Sequence, residues 1–108
     1  MNVIEQAKSL AEAIKTSEEF TTYKNLKDAL YSDEKIAGSL SLFEAKQANL
    51  QRMQMLGETL NEDELNDAQE LFKELNENDQ VKKYFEAEFK LNQMMAEVSK
   101  VLGDAMNF

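Results

Sequence analysis

Seven apolar positions in the first half of the chain recur in the second half at one fixed offset. Phe20, Leu26, Leu30, Ile36, Leu40, Leu50 and Met53 correspond to Leu65, Leu71, Leu75, Val81, Phe85, Met95 and Val98, each pair 45 residues apart. The turn recurs as well: Asp33-Glu34 ahead of Ile36 matches Asn78-Asp79 ahead of Val81. A repeat has structural meaning when its units agree in local pattern, because each is then one supersecondary element. Both halves here read as a short helix, a polar cap and a long helix. Any two amphipathic hairpins also align at some offset, so chance alignment stands beside pseudo-symmetry as a reading.

Residue usage makes those elements helices. There is no proline and only three glycines among 108 residues, while Ala, Leu, Glu, Lys, Gln and Met, which lose least on entering a helix, are abundant. The expected class is all-α, a five-helix bundle or array in which an N-terminal helix precedes two similar hairpins. The length suits one small domain, residues 1–108, burying roughly two thirds of the surface its unfolded chain exposes.

Caps and periodicity place the helices. Asn2 caps a first helix, Val3–Lys15, with Val3, Ile4, Ala7, Leu10, Ala11 and Ile14 on one face. Ser17, followed by Glu18 and Glu19, starts a second, Glu18–Tyr31, with Phe20, Tyr23, Leu26, Leu30 and Tyr31 inward. Residues 33–57 form a long third helix, capped by Ser32 or Asp33 and closed by Gly57. Gly38 lies inside it at a cost of about 1 kcal/mol relative to alanine, with or without a role in close helix approach. Asn61 and Glu64 predict a capping box, with Leu60 and Leu65 as staple, for a fourth helix, Glu62–Asn76. That helix should bury Leu65, Ala68, Leu71, Phe72 and Leu75. Asn78 caps the fifth, in which Val81, Tyr84, Phe85, Leu91, Met95, Val98 and Leu102 share a face. Gly103 is its expected stop, before a frayed tail to Phe108.

Several chemistries are excluded at once. With neither Cys nor His, the chain has no disulfide, thiolate, Cys/His zinc site or Ser-His-Asp triad. Pairs such as Glu70 and Glu74, or Glu86 and Glu88, read as solvated charge, because a di-metal bundle also wants histidine ligands. The first residues carry acids and a lysine where a signal peptide is uninterruptedly apolar, and no run approaches the length of a membrane span. A soluble cytoplasmic protein with no cofactor and no membrane insertion is expected.

The net charge of −9 is uneven. Residues 58–108 carry five bases and thirteen acids, and residues 62–79 hold eight acids against Lys73. Such a face opposes a nucleic-acid backbone and disfavours direct binding to RNA or DNA. It reads as a solvated surface or as a face for a basic protein partner.

The candidate interface residues lie on the long helices. Phe43, Gln47, Leu50, Gln51 and Gln54 form a mixed apolar and amide seam on the third, and Phe85 and Phe89 add aromatic surface on the fifth. Amides in such a seam can set register between helices or subunits. Met53, Met55, Met94, Met95 and Met106 read as core filling, with an adaptable partner groove as the alternative.

These residues resemble the bacterial YlbF/YmcA family. The likeness rests on Ser17-Glu18-Glu19-Phe20, residues 33–43, the run Gln47, Gln51 and Gln54 closed by Gly57, and residues 78–88. It covers nearly the whole chain and is nearest the YheA-like branch. The resemblance implies a small all-helical, commonly self-associating cytoplasmic protein with no known enzymatic activity. It further implies partners of the YlbF/YmcA/YaaT type, which act as specificity partners of RNase Y in competence, sporulation and biofilm formation. Some family complexes hold iron–sulfur clusters through cysteines, which this chain cannot supply.

The expectation is therefore a non-enzymatic interaction protein, a homodimer or higher homo-oligomer whose long-helix seam makes the subunit contact. The alternatives are an RNA-processing factor that touches RNA directly, a purely structural oligomer, and a metal-dependent helical-bundle enzyme.

Overall fold

The computed structural model describes residues 2–106, and all its regular structure is helical. Five helices follow in order: α1 (Val3–Lys15), α2 (Glu18–Tyr31), α3 (Glu34–Met55), α4 (Glu62–Asn76) and α5 (Asp79–Ala105). The fold class is all-α, as expected. The frayed tail expected at Phe108 lies outside the described residues.

Side-chain caps open these helices by one repeated device. Asn2 Oδ1 accepts from the Glu5 amide at 2.8 Å, and Ser17 Oγ from the Phe20 amide at 3.2 Å. Asp33 Oδ1 accepts from the Lys35 and Ile36 amides at 3.1 and 3.3 Å, and Asn78 Oδ1 from the Gln80 and Val81 amides at 2.9 and 3.2 Å. The second pair is the 45-residue correspondence expressed as geometry, with the same cap placed two and three residues before the same bonded amides. Each bond satisfies a first-turn N–H that has no partner inside its helix.

The glycines differ. Gly57 has φ +71°, and behind it the Glu58 amide donates to Met53 O at 2.9 Å and the Gly57 amide to Gln54 O at 3.2 Å. That pair of bonds is a Schellman closure, which needs a left-handed residue. Gly103 does not end α5; the helix passes through it to Ala105, and the Met106 amide donates to Leu102 O and Gly103 O. A lone glycine costs a helix only about 1 kcal/mol, so without a left-handed turn or a following proline it terminates nothing.

The capping box at α4 is half made. Asn61 Oδ1 accepts from the Asp63 and Glu64 amides, but the Glu64 carboxylate turns away to accept from Asn49 Nδ2 on α3 at 3.1 Å. Asn49 in turn accepts from Arg52 Nη2 at 2.8 Å.

The chain divides into two compact units. One holds residues 28–82: the end of α2, all of α3 and α4, and the first turn of α5. Its core is Leu30, Leu40, Phe43, Ala68, Leu75 and Val81, with Leu40 and Val81 at 0% and 1% exposure. Phe43 meets Phe72 and Asn49 meets Glu64, so position rises along α3 as it falls along α4 and the two helices run antiparallel. Tyr31 closes the other side by donating its hydroxyl to Glu44 Oε2 at 3.0 Å.

The other unit holds the residues up to Lys27 and those from Lys83 onward. Tyr84 is fully buried there, beside Ala87, and its ring stacks on Tyr23 with centroids 5.4 Å apart. The apolar face of α1 finds no cover: residues 2–13 are all exposed, and only Ile14 is half-buried. Met95 and Leu102, expected on the inward face of α5, are also exposed, as are Met55 and Met106, which were expected to fill the core. Amphipathic spacing marks a face that can be buried and does not say by what.

Candidate functional site

The α3–α4 hairpin builds an open concave surface on the candidate seam. Phe43, Gln47 and Leu50 of α3 and Ala68, Gln69 and Phe72 of α4 line a groove of about 290 Å³. Its floor is supplied by Phe43, which is 7% exposed and packs against Phe72 with ring centroids 5.7 Å apart. Phe72 itself is 42% exposed, although the periodicity of α4 places it inward. Two antiparallel helices cover only part of a broad apolar stripe, and the aromatic ring at the edge of that contact becomes a wall of the groove. The two amides, Gln47 and Gln69, are exposed at its rim.

The seven candidate residues are therefore dispersed. Phe43, Gln47 and Leu50 come together in the groove, with Phe43 buried and Leu50 half-buried. Gln51 and Gln54 lie exposed on α3 and do not line it. Phe85 and Phe89 belong to the other unit, where Phe85 is half-buried against Tyr84 and Phe89 is 64% exposed. Sequence reading missed Gln69 and the exposure of Phe72. No signal in the sequence marks them, because which α4 residues face Phe43 and Gln47 is set only when the hairpin closes.

Beside the groove, α4 presents its acids outward. Glu62, Asp63, Asp67, Glu70 and Glu74 are exposed, and Glu64 is held by Asn49. Among the described residues no three acids converge as a metal site would require, and no helix is long and apolar enough to cross a membrane.

Antiparallel helices, an apolar groove with amide rims and an acidic outer face define a helical scaffold with surfaces suited to protein contact. Residues 3–107 match the family described as control of competence regulator ComK, YlbF/YmcA, and the chain belongs to that family. It is similar to the UPF0342 protein YheA of Bacillus subtilis, with 30% identity over 102 residues, covering 94% of this chain and 87% of YheA.

Solved structures agree on the fold. A protein of unknown function (DUF964) from Bacillus stearothermophilus superposes with a TM-score of 0.81 at 23% identity, covering 96% of this chain and 91% of that one. A chain from the structure of Bacillus subtilis RicA in complex with RicF gives a TM-score of 0.63 at 27% identity, covering 96% of this chain and 92% of that one. None of these descriptions indicates an enzymatic family.

Proposed function

We propose that this chain is a non-enzymatic cytoplasmic interaction protein that binds another YlbF/YmcA-type chain through the α3–α4 groove. The observation that carries the reading is Phe72, a large ring left 42% exposed as the wall of an apolar groove with glutamines at its rim. Large apolar side chains framed by polar ones are typical anchor points for a partner helix. The structure of RicA in complex with RicF supports a protein partner.

In this reading the exposed Gln51 and Gln54 flank the docking surface and set register, and the protein works as a homo-oligomer. Its task is that of an adaptor influencing RNase Y-dependent RNA processing, and through it competence or biofilm formation. The net charge of −9 supports a protein partner over direct contact with RNA.

The test is titration of the purified chain with the YlbF- and YmcA-type proteins of its own source, followed by sedimentation velocity. A complex is expected, weakened at least tenfold by Phe72→Glu. Absence of a complex with either protein, or binding to RNA oligonucleotides with a steep salt dependence, would overturn the reading.

A further inference from the structure

The apolar groove does not end at its α4 rim. Gln69 lines it beside Phe72 and also lines a second concavity, of about 320 Å³, with Asn66, Glu70 and Lys73. The two surfaces meet at this exposed glutamine, one apolar around Phe43, Leu50 and Phe72 and the other polar and charged.

The charge beyond the rim is strongly one-sided. Within α4 stand Glu62, Asp63, Glu64, Asp67, Glu70 and Glu74 against Lys73 alone, a net charge of −5 on 15 residues. Glu64 is engaged by Asn49, and the other five acids are exposed. Lys73 stands one turn after Glu70 and one turn before Glu77, so neighbouring acids offset it. A helix is about 10 Å across with its side chains, and the Debye length at physiological salt is about 8 Å. Acids around the whole of α4 therefore contribute to the potential over Gln69.

We propose, on the reading that the groove is the partner site, that its occupant is a basic amphipathic helix. An apolar triplet at i, i+4 and i+7 lies over Phe43, Leu50 and Phe72, and Lys or Arg on the flank facing α4 reaches past Gln69 toward Glu70. The dimensions agree. Phe43 to Leu50 is seven residues, about 10 Å along α3, which is the reach of such a triplet on the docked helix. The apolar floor holds the ligand, while the acidic flank draws basic partners in and turns acidic ones away. A second copy joined symmetrically through this groove would set one α4 beside another, −5 against −5, which like-charge repulsion opposes.

The test uses the full chain and three labelled synthetic helical peptides, followed by fluorescence anisotropy. The peptides share one apolar triplet and carry lysines, glutamines or glutamates on the flank. The lysine peptide is expected to bind about tenfold tighter than the glutamate peptide, a margin that shrinks as salt rises from about 50 to 300 mM. Glu70→Lys, at an exposed position, should weaken the lysine peptide and strengthen the glutamate peptide. Glu12→Lys makes the same charge change in the other unit and should alter neither. Phe72→Gln should weaken all three peptides, with circular dichroism confirming that helix content is kept. Binding of no peptide overturns the inference, as does equal binding of all three. So does a lysine preference that Glu12→Lys reduces as much as Glu70→Lys, since the attraction would then belong to the acidic chain at large. Peptide discrimination without a complex with the YlbF- or YmcA-type proteins would remove the proposed function and leave this inference standing. A family complex weakened by Phe72→Glu, with no preference among the peptides, would do the reverse.

Discussion

Tyr23 and Tyr84 lie 61 positions apart in the chain, yet their rings stack at an interplanar angle of 22° with hydroxyl oxygens 3.5 Å apart. Tyr84 is fully buried and Tyr23 half-buried, so the pair joins α2 to α5 in the unit that holds both. Truncating Tyr84 to alanine should cost about 3–5 kcal/mol, as loss of a buried aromatic ring does. Tyr84→Phe keeps the ring and should cost about 1 kcal/mol, the usual net value of one hydrogen bond. Urea unfolding monitored by circular dichroism distinguishes the two; equal losses would mean the hydroxyl, not the ring, holds the helices.

Gly38 inside α3 and Gly57 just beyond its end should respond with opposite signs. An added Cβ at Gly38 meets nothing within 4 Å, so Gly38→Ala should stabilise the chain by about 0.5–1 kcal/mol through helix propensity and a less free unfolded state. Gly57 also has open space, but its φ of +71° is unfavourable to any residue with a Cβ, and Gly57→Ala should destabilise by about 1–2 kcal/mol. Thermal melts of the two variants check this directly. A loss at Gly38 would show that something approaches it in the assembled protein.

Asp33 and Asn78 make the same pair of bonds at equivalent points of the two halves. Asp33→Ala and Asn78→Ala should therefore each cost about 1 kcal/mol. Chemical denaturation measures both, and a cost confined to one would mean that the 45-residue correspondence is a likeness of pattern without equivalence of role.

Leu50 is half-buried in the groove, whereas Gln54 is exposed on the same helix. Leu50→Glu should weaken family-partner binding at least tenfold and lower the melting temperature. Gln54→Glu, at the flank of the docking surface, should weaken binding less than Leu50→Glu and change the melting temperature little, since solvent-facing substitutions usually cost no more than about 0.5 kcal/mol of stability. Calorimetric titration and a thermal melt of each variant read the contrast, and equal behaviour in both would remove the groove from the interface.

Much of the fold was legible because it is local. The bounds of α1, α2 and α4 follow from Asn2, Ser17 and Asn61, whose side chains meet amides two or three residues on, a relationship written in adjacent letters. The end of α5 was misread because Gly103 was given the role that Gly57 has. Residue type allows a left-handed turn but does not impose one, and only Gly57 is followed by the bonds that close it.

The sequence by itself determined five helices, their caps and which face of each is apolar, since propensity, capping and periodicity act within a few residues. It belongs to the tertiary structure that Phe43 forms the floor of a groove while Phe72 stands as its wall. The same holds for Glu64, which leaves its own helix start for Asn49, and for the α1 face, which stays open from Val3 to Leu10. Those outcomes depend on which faces meet and how much of each is covered. Two amphipathic stripes can then have different fates, one covered within the chain and the other left exposed.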